Sequence, residues 1–144
     1  MDIRAISPGE RSAAIDLVWN TFLQFEAPDY PEHGVDAFRA FITDGGIFKT
    51  VEFFGAFEDG DLCGVIAMRE QRRHICLFFV PGEYQRRGIG RALWEHILAI
   101  SDAAAITVNS SPFAVPVYRK FGFEAVGAEQ MTDGIIYTPM RRES

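Results

Sequence analysis

Apolar residues at Ala14, Ile15, Val18, Trp19, Phe22 and Leu23 recur at three- and four-residue spacing, which predicts an amphipathic helix ending near Phe25. Ser7-Pro8-Gly9-Glu10 marks its start, with Ser as N-cap, proline at the first helical position and a glutamate in the capping-box place. Two prolines break the pattern over residues 26–34, which read as a loop carrying three carboxylates, a Tyr and a His. Residues 35–42 form a second short amphipathic stretch, with Phe38, Phe41 and Ile42 apolar, and it stops at Asp44-Gly45-Gly46. Three strand-like runs follow, at 48–57, 62–69 and 74–80, the first two separated by the turn Glu58-Asp59-Gly60-Asp61. After a glycine-containing loop, Ile89, Ala92, Leu93, Ile97 and Ile100 share one helical face. A strand over 105–109, a short helix over 113–121 and strands over 124–129 and 135–141 complete the chain.

The order is therefore a helix pair, three strands, a helix, a strand, a helix and two strands, with no internal repeat. It predicts a mixed α+β fold, antiparallel strands first and one parallel step around the third long helix, in a single domain of residues 1–144.

Composition narrows the classes. Apolar content of 48% and charged content of 24% suit an ordinary globular chain. Fourteen basic against twenty acidic residues give a formal net charge of −6, which argues against nucleic-acid binding and weakly favours a cationic partner. No apolar run is long enough to cross a bilayer, and the opening residues lack the basic-then-apolar layout of a signal peptide. No membrane partner is expected, and the cytoplasm is the expected compartment. Cys63 and Cys76 are too few for a disulfide framework and sit in strand-like runs as small hydrophobes. No Cys/His/Asp/Glu spacing resembles a metal site. Arg72-Arg73 reads as a solvated hairpin turn and His96 as a histidine on the inner face of its helix.

The clearest chemistry lies in Phe79-Val-Pro-Gly-Glu-Tyr-Gln-Arg-Arg-Gly-Ile-Gly-Arg-Ala92. A strand, a short loop with Gly88 and Gly90, and a helix start aim unpaired N–H groups and a helix dipole at one point. The two glycines lack a Cβ, so a pyrophosphate can approach the backbone, and Arg86, Arg87 and Arg91 add positive charge. A dinucleotide fingerprint would need a third glycine, and a Walker loop a following Gly-Lys-Ser/Thr; neither is present.

Within that segment, Gln85-Arg86-Arg87-Gly88-Ile89-Gly90 resembles the Gln/Arg-x-x-Gly-x-Gly/Ala signature of the GNAT superfamily of acetyl-CoA-dependent N-acetyltransferases. Downstream, Val108-Asn-Ser-Ser-Pro-Phe-Ala-Val-Pro-Val-Tyr-Arg-Lys-Phe-Gly-Phe123 is similar to the family's Asn-bearing strand end, followed by a helix with a Tyr and a closing Gly-Phe. The resemblance implies a central, mostly antiparallel sheet of about six or seven strands with a splayed parallel pair, flanked by about four helices. Pro81 and Pro112 suit such a splay, since neither donates a ladder hydrogen bond. It also implies an N-acetyltransferase that passes an acetyl group from acetyl-CoA directly to a primary amine, without a metal. The alternative is a GNAT-like domain that binds acyl-CoA as a non-catalytic sensor or interaction module.

By the same resemblance, acetyl-CoA would lie against Phe78, Phe79 and Val80, the cradle residues Gln85, Arg86, Arg87, Gly88, Ile89, Gly90 and Arg91, and Asn109 and Tyr118. Tyr118 is the candidate acid for the departing thiolate, the alternative being a core Tyr bonded to backbone. The N–H of Val80 would stabilise the thioester oxygen, and Asn109 would bond the pantetheine amides or cap its own strand end. His74 stands six residues before Val80, where histone-acetylating relatives carry a catalytic Glu. Strand alternation puts His74, Cys76, Phe78 and Val80 on one face, so His74 is a candidate base, with Glu70 and a water chain as alternatives. Glu26, Asp29 and Tyr30, with Glu32 nearby, fall in the loop that lines the acceptor pocket of GNAT folds. The expected acceptor is a small-molecule or peptide amine, and the expected assembly a monomer or homodimer.

Overall fold

A computed structural model describes residues 1–44 and 47–143. The expected stop at Gly45-Gly46 lies outside the described residues. The chain opens with strand β1 (Asp2–Ala5), which periodicity did not reveal because only Ile3 and the small Ala5 are apolar in it. It gains its pairing from β2, with Ile3 opposite Ala56. The expected cap forms: the Ser7 N–H donates to Glu10 Oε1 at 2.9 Å, and a single 3₁₀ turn over Pro8–Glu10 leads into α1 (Arg11–Phe25). Arg4 reaches the same carboxylate with both terminal nitrogens, at 2.8 and 2.7 Å.

The proline-containing segment is less loop-like than expected. Ala27–Asp29 is a 3₁₀ turn, and α2 (Glu32–Thr43) begins three residues before the amphipathic stretch, so Glu32, His33 and Gly34 are helical. A further correction falls on the 48–57 run. Its first residues belong to a helical turn, α3 (Ile47–Thr50), and β2 spans only Glu52–Glu58. β3 (Asp61–Arg69) and β4 (His74–Phe79) follow, then α4 (Ile89–Ile100), β5 (Ala105–Ser110) and α5 (Val115–Lys120). Pro116 sits at the second position of α5, where its missing N–H costs no helical bond. The expected 124–129 strand shortens to β6 (Glu124–Ala125), while β7 (Gln130–Thr132) pairs with β8 (Ile135–Glu143).

The sheet runs β1-β2-β3-β4-β5-β8-β6, with β7 attached to β8. Every neighbouring pair is antiparallel except β4–β5. One face packs on α1 and α2 through Val18, Phe22, Phe38 and Ile42; the other packs on α4 and α5 through Ile89, Leu93, Ile97 and Tyr118. The central strand β3 is buried on both faces from Cys63 to Met68, which explains its unbroken apolar run. Arg72, expected in a solvated turn, instead forks onto Glu52 with two 3.0 Å bonds and donates to the Ile100 carbonyl at 3.0 Å, capping the end of α4.

Both cysteines mark breaks in register. Ala56 pairs with Gly64 and Phe57 with Leu62, leaving Cys63 as the extra residue; Ala67 pairs with Leu77 and Met68 with Ile75, leaving Cys76. Each is a β-bulge, and the second corrects the expected face of His74, Cys76, Phe78 and Val80. After the extra residue the alternation is reset. Ile75, Phe78 and Val80 pack in the cluster under α4, while Leu77, Phe79 and partly buried Cys76 pack under α1 and α2.

Candidate active site

β4 and β5 pair only through His74–Thr107 and Ile75–Val108, and beyond those two contacts they separate. The bulge at Cys76 sits at the point of separation, bending β4 away from its parallel neighbour. Two cavities open along the gap. One, of about 410 Å³, is a groove on the α4 side; the other, of about 380 Å³, lies toward α2 and the β7–β8 hairpin. Both have the size of ordinary ligand sites. They meet at five shared residues: Glu26, Phe78, Phe79, Ala114 and Tyr118.

The groove contains most of the expected cradle. Val80, Gln85, Arg86, Gly88, Ile89, Gly90 and Arg91 line it together with Lys120. Gly88 caps α4 in the left-handed conformation, at φ +81°, where a Cβ would be strained. The first intrahelical bond runs from the Ala92 N–H to the Gly88 carbonyl at 3.0 Å, so the N–H groups of Ile89, Gly90 and Arg91 have no partner inside the helix. Gly90 differs from Gly88: a Cβ there would sit 3.8 Å from Phe78 and Val80, an ordinary contact. Gln85 braces the loop, its side-chain amide donating to the Val80 carbonyl at 3.0 Å. Arg87 is not brought to the groove; it pairs with Glu58 at 3.3 Å and lies over the Tyr84 ring. Phe25 and Phe113, neither of them an expected site residue, stack at 4.9 Å on the groove wall.

The second cavity gathers Glu26, Tyr30, His74 and Asn109 from the expected residues, and adds Arg69, Ser111, Asp133 and Tyr137. Asp29 does not line it, although its charge acts on Glu26 and Tyr30. Glu70 and Glu32 also lie outside the lining. His74 is buried, its Nδ1 2.7 Å from the Thr107 hydroxyl, which itself reaches the Arg73 carbonyl at 3.4 Å. The direction in which the Thr107 hydroxyl points decides which ring nitrogen carries the proton. Burial, reinforced by the nearby Arg69 charge, holds the imidazole below its usual pKa.

Tyr118 is 5% exposed and borders both cavities. Its hydroxyl makes no hydrogen bond to the described residues, and burial, with the Glu26 charge adding, drives its pKa far above the usual phenol value. Its ring meets those of Phe78 and Phe123 in edge-to-face contacts, with centroids 6.0 and 5.4 Å apart, which fix the ring's place. Burial pushes the Glu26 carboxyl up to about 7; the Ser111 hydroxyl pulls it down, and Asp29 adds to the rise. The Cys76 thiol is raised to about 11 by burial, which makes it a poor nucleophile. Among the described residues no group of three or more His, Cys, Asp or Glu side chains is placed to hold a metal, and no helix is long and apolar enough to cross a membrane.

Known structures share this fold. A GCN5-related N-acetyltransferase described as a class-II aminotransferase, from Rhodopseudomonas palustris, superposes with a TM-score of 0.87 at 20% identity, over 99% of this chain and 95% of that one. PaiA N-acetyltransferase from Thermoplasma acidophilum, in complex with coenzyme A, gives 0.79 at 19% identity, over 99% and 98%. Tetrahymena GCN5 gives 0.68 at 18% identity, over 99% and 96%. At these identities the likeness establishes the fold alone. No curated protein sequence matches the chain. The family model described as "Acetyltransferase (GNAT) domain" matches residues 26–144, which include both cavities' shared residues and the whole cradle. Nothing in these matches supports a non-catalytic binding module. The chain belongs to the GNAT acetyltransferase family and is an acyltransferase.

Proposed function

We propose that the protein moves the acetyl group of acetyl-CoA onto a primary amine by direct attack, with both substrates bound at once. The observation that carries this reading is the meeting of groove and cavity at Tyr118 and Glu26. A thioester laid along the groove and an amine entering the cavity converge on those side chains.

The groove's chemistry fits the cosubstrate. Free N–H groups at the start of α4, the Cβ-free surface of Gly90, and Arg86 and Arg91 suit a pyrophosphate. The edge of β4 beyond Ile75, unpaired with β5, offers backbone groups to the amides of a pantetheine arm, and Asn109 faces it from β5. When bound, acetyl-CoA supplies an activated acyl group and a thiolate leaving group. Val80, held through its carbonyl by Gln85, presents its N–H to the thioester oxygen. Tyr118 keeps its proton at neutral pH and donates it to the departing sulfur. The ammonium's first proton goes to a group of the cavity, whose lining includes His74, Glu26 and Asp133.

The acceptor is a small-molecule or peptide amine. Glu26 and Asp133 favour its ammonium, and the rings of Tyr30, Phe38 and Tyr137 suit an apolar body. Release of free thiol from acetyl-CoA, followed across a panel of amines with mass spectrometry of the products, tests the reading. Amine-dependent thiol release with an acetylated product is expected. A protein that binds acetyl-CoA by calorimetry yet turns over no amine would overturn it.

A further inference from the structure

Five residues border both cavities, and only two of them, Glu26 and Tyr118, carry a group that can exchange a proton. They come from opposite sides of the junction, Glu26 from the end of α1 and Tyr118 from α5. His74 borders the acceptor cavity alone, and the Cys76 bulge separates its face from that of Phe78 and Val80, which follow the groove. Resting on the acetyl-transfer reading, we propose that Glu26 is the general base that receives the proton of the attacking amine.

The backbone holds Glu26 on both sides. Its N–H donates to the Phe22 carbonyl at 2.9 Å, the last bond of α1, and its carbonyl accepts from the Asp29 N–H at 3.0 Å, closing the 3₁₀ turn. The half-buried carboxylate has no ion pair among the described residues, and the Ser111 hydroxyl is its hydrogen-bonding neighbour. A half-buried carboxylate without a cationic partner costs stability when ionised and is unneeded for packing. It suits a group that must take up and release a proton near neutral pH, and its raised pKa agrees with that role.

Protons balance without a further reagent. Glu26 takes one proton from the ammonium, leaving the neutral amine to attack. As the C–N bond forms and the C–S bond breaks, nitrogen sheds a second proton, which replaces the one Tyr118 gives to sulfur. Glu26 then returns its proton to solvent, so each turnover yields amide, thiol and one proton. The groups facing Glu26 are Asp29 and Tyr30 from the following turn and Tyr118 from α5, with His74, Arg69 and Asp133 across the cavity. Asp29 supports a high pKa for the carboxyl, and Tyr30 and Tyr118 stay neutral through the working range.

The test is the pH profile of kcat/KM for an amine acceptor at saturating acetyl-CoA, with thiol release as readout. Wild type is expected to show an acidic limb near pH ~7. Glu26→Gln should remove that limb, lower kcat/KM at neutral pH by about 10²-fold or more, and regain activity as pH rises and the amine deprotonates itself. His74→Gln should keep the limb. Acetyl-CoA affinity by calorimetry should stay within about threefold in both variants, showing the groove intact. If Glu26→Gln does not fold, Glu26→Asp, which moves the carboxyl back by one carbon, should lower kcat while the limb persists. Retention of the limb in Glu26→Gln, an effect confined to acceptor KM, or unchanged kcat in Glu26→Asp would overturn the proposal. Loss of the limb in His74→Gln alone would pass the role to His74. A wild-type protein that releases no thiol with any amine would remove the acetyl-transfer reading, and this assignment with it.

Discussion

The Tyr30 hydroxyl donates to the Ile136 carbonyl at 3.0 Å, across 106 positions of sequence. This bond ties the turn between α1 and α2 to β8. Close beside it, α2 and the β7–β8 turn touch backbone to backbone: a Cβ on Gly34 would fall 2.0 Å from the Gly134 carbonyl oxygen. Together they close the acceptor cavity on the side away from the groove. Tyr30→Phe keeps the ring, which meets Phe22 edge-on at 5.3 Å, and deletes the bond. A net hydrogen bond of ~1 kcal/mol corresponds to about fivefold in an equilibrium. The expected result is an acceptor KM raised by about that factor with acetyl-CoA affinity unchanged. Equal changes in both would show that the bond supports the whole fold rather than the cavity.

Gly90 separates binding from stability. It lies in the first turn of α4, and a methyl there meets only ordinary contacts. Gly90→Ala should therefore leave stability unchanged or raise it by up to ~1 kcal/mol, from helix propensity. Gly90→Val projects further into the groove and should weaken acetyl-CoA binding at least about tenfold. Calorimetry and thermal melts on the two variants check both halves. A valine variant with native affinity would move the pyrophosphate away from this turn.

Much of the fold was legible because its elements carry their own periodicity. β3, β4, α4, β5 and β8 all fall within two residues of their expected bounds. What escaped depends on partners distant in sequence. β1 has too few apolar residues to announce itself and exists through its ladder with β2. The helical turn at Ile47–Thr50 sits within a run whose composition reads as strand. Bulges are invisible to alternation, so the single extra residue Cys76 reversed the expected grouping of His74 with Phe78 and Val80. In the site, the glycine motif located the groove, but its charges are not equivalent. Arg86 and Arg91 border the groove, whereas Arg87 is drawn to Glu58, a partner twenty-nine residues away. In the sequence Glu26, Asp29 and Glu32 group alike as acids beside the acceptor; only the closure of α1, β4 and α5 sets Glu26 apart, half-buried at the cavity, while Asp29 and Glu32 are exposed and outside its lining.

Tyr118 tests the acid role with little structural interference. Because its hydroxyl makes no hydrogen bond to the described residues, Tyr118→Phe removes no internal bond and keeps the ring contacts with Phe78 and Phe123. Stability should stay within about 0.5 kcal/mol of wild type. If the hydroxyl protonates the departing thiolate, kcat should fall by about 10²-fold or more, with acetyl-CoA affinity nearly constant. Wild-type turnover in this variant, once chemistry is shown to limit the rate, would exclude the acid role.

Glu26 also predicts a pH dependence of stability that requires no substrate. Its carboxyl has an ordinary value of 4.5 and is raised to about 7 in the fold, chiefly by burial. Between those two values the folded state binds more protons than the unfolded state, so the wild-type protein loses stability as pH rises through that window. The contribution is fully present below 4.5 and gone above about 7. Glu26→Gln abolishes this term, since an amide does not titrate. Relative to wild type, the variant should gain nothing near pH ~4 and on the order of 2 kcal/mol above pH ~7, allowing for partial solvent screening. Glu10 does not confound the comparison. Its carboxyl is held down to about 2 by Arg4 and the Ser7 groups, so its contribution is lost only as pH falls below 4.5, outside the window. Denaturant unfolding of the two proteins at several pH values from about 4 to about 8 measures the difference. A constant offset across that range would mean that Glu26 titrates normally, and the half-buried carboxylate at the junction would lose its physical basis.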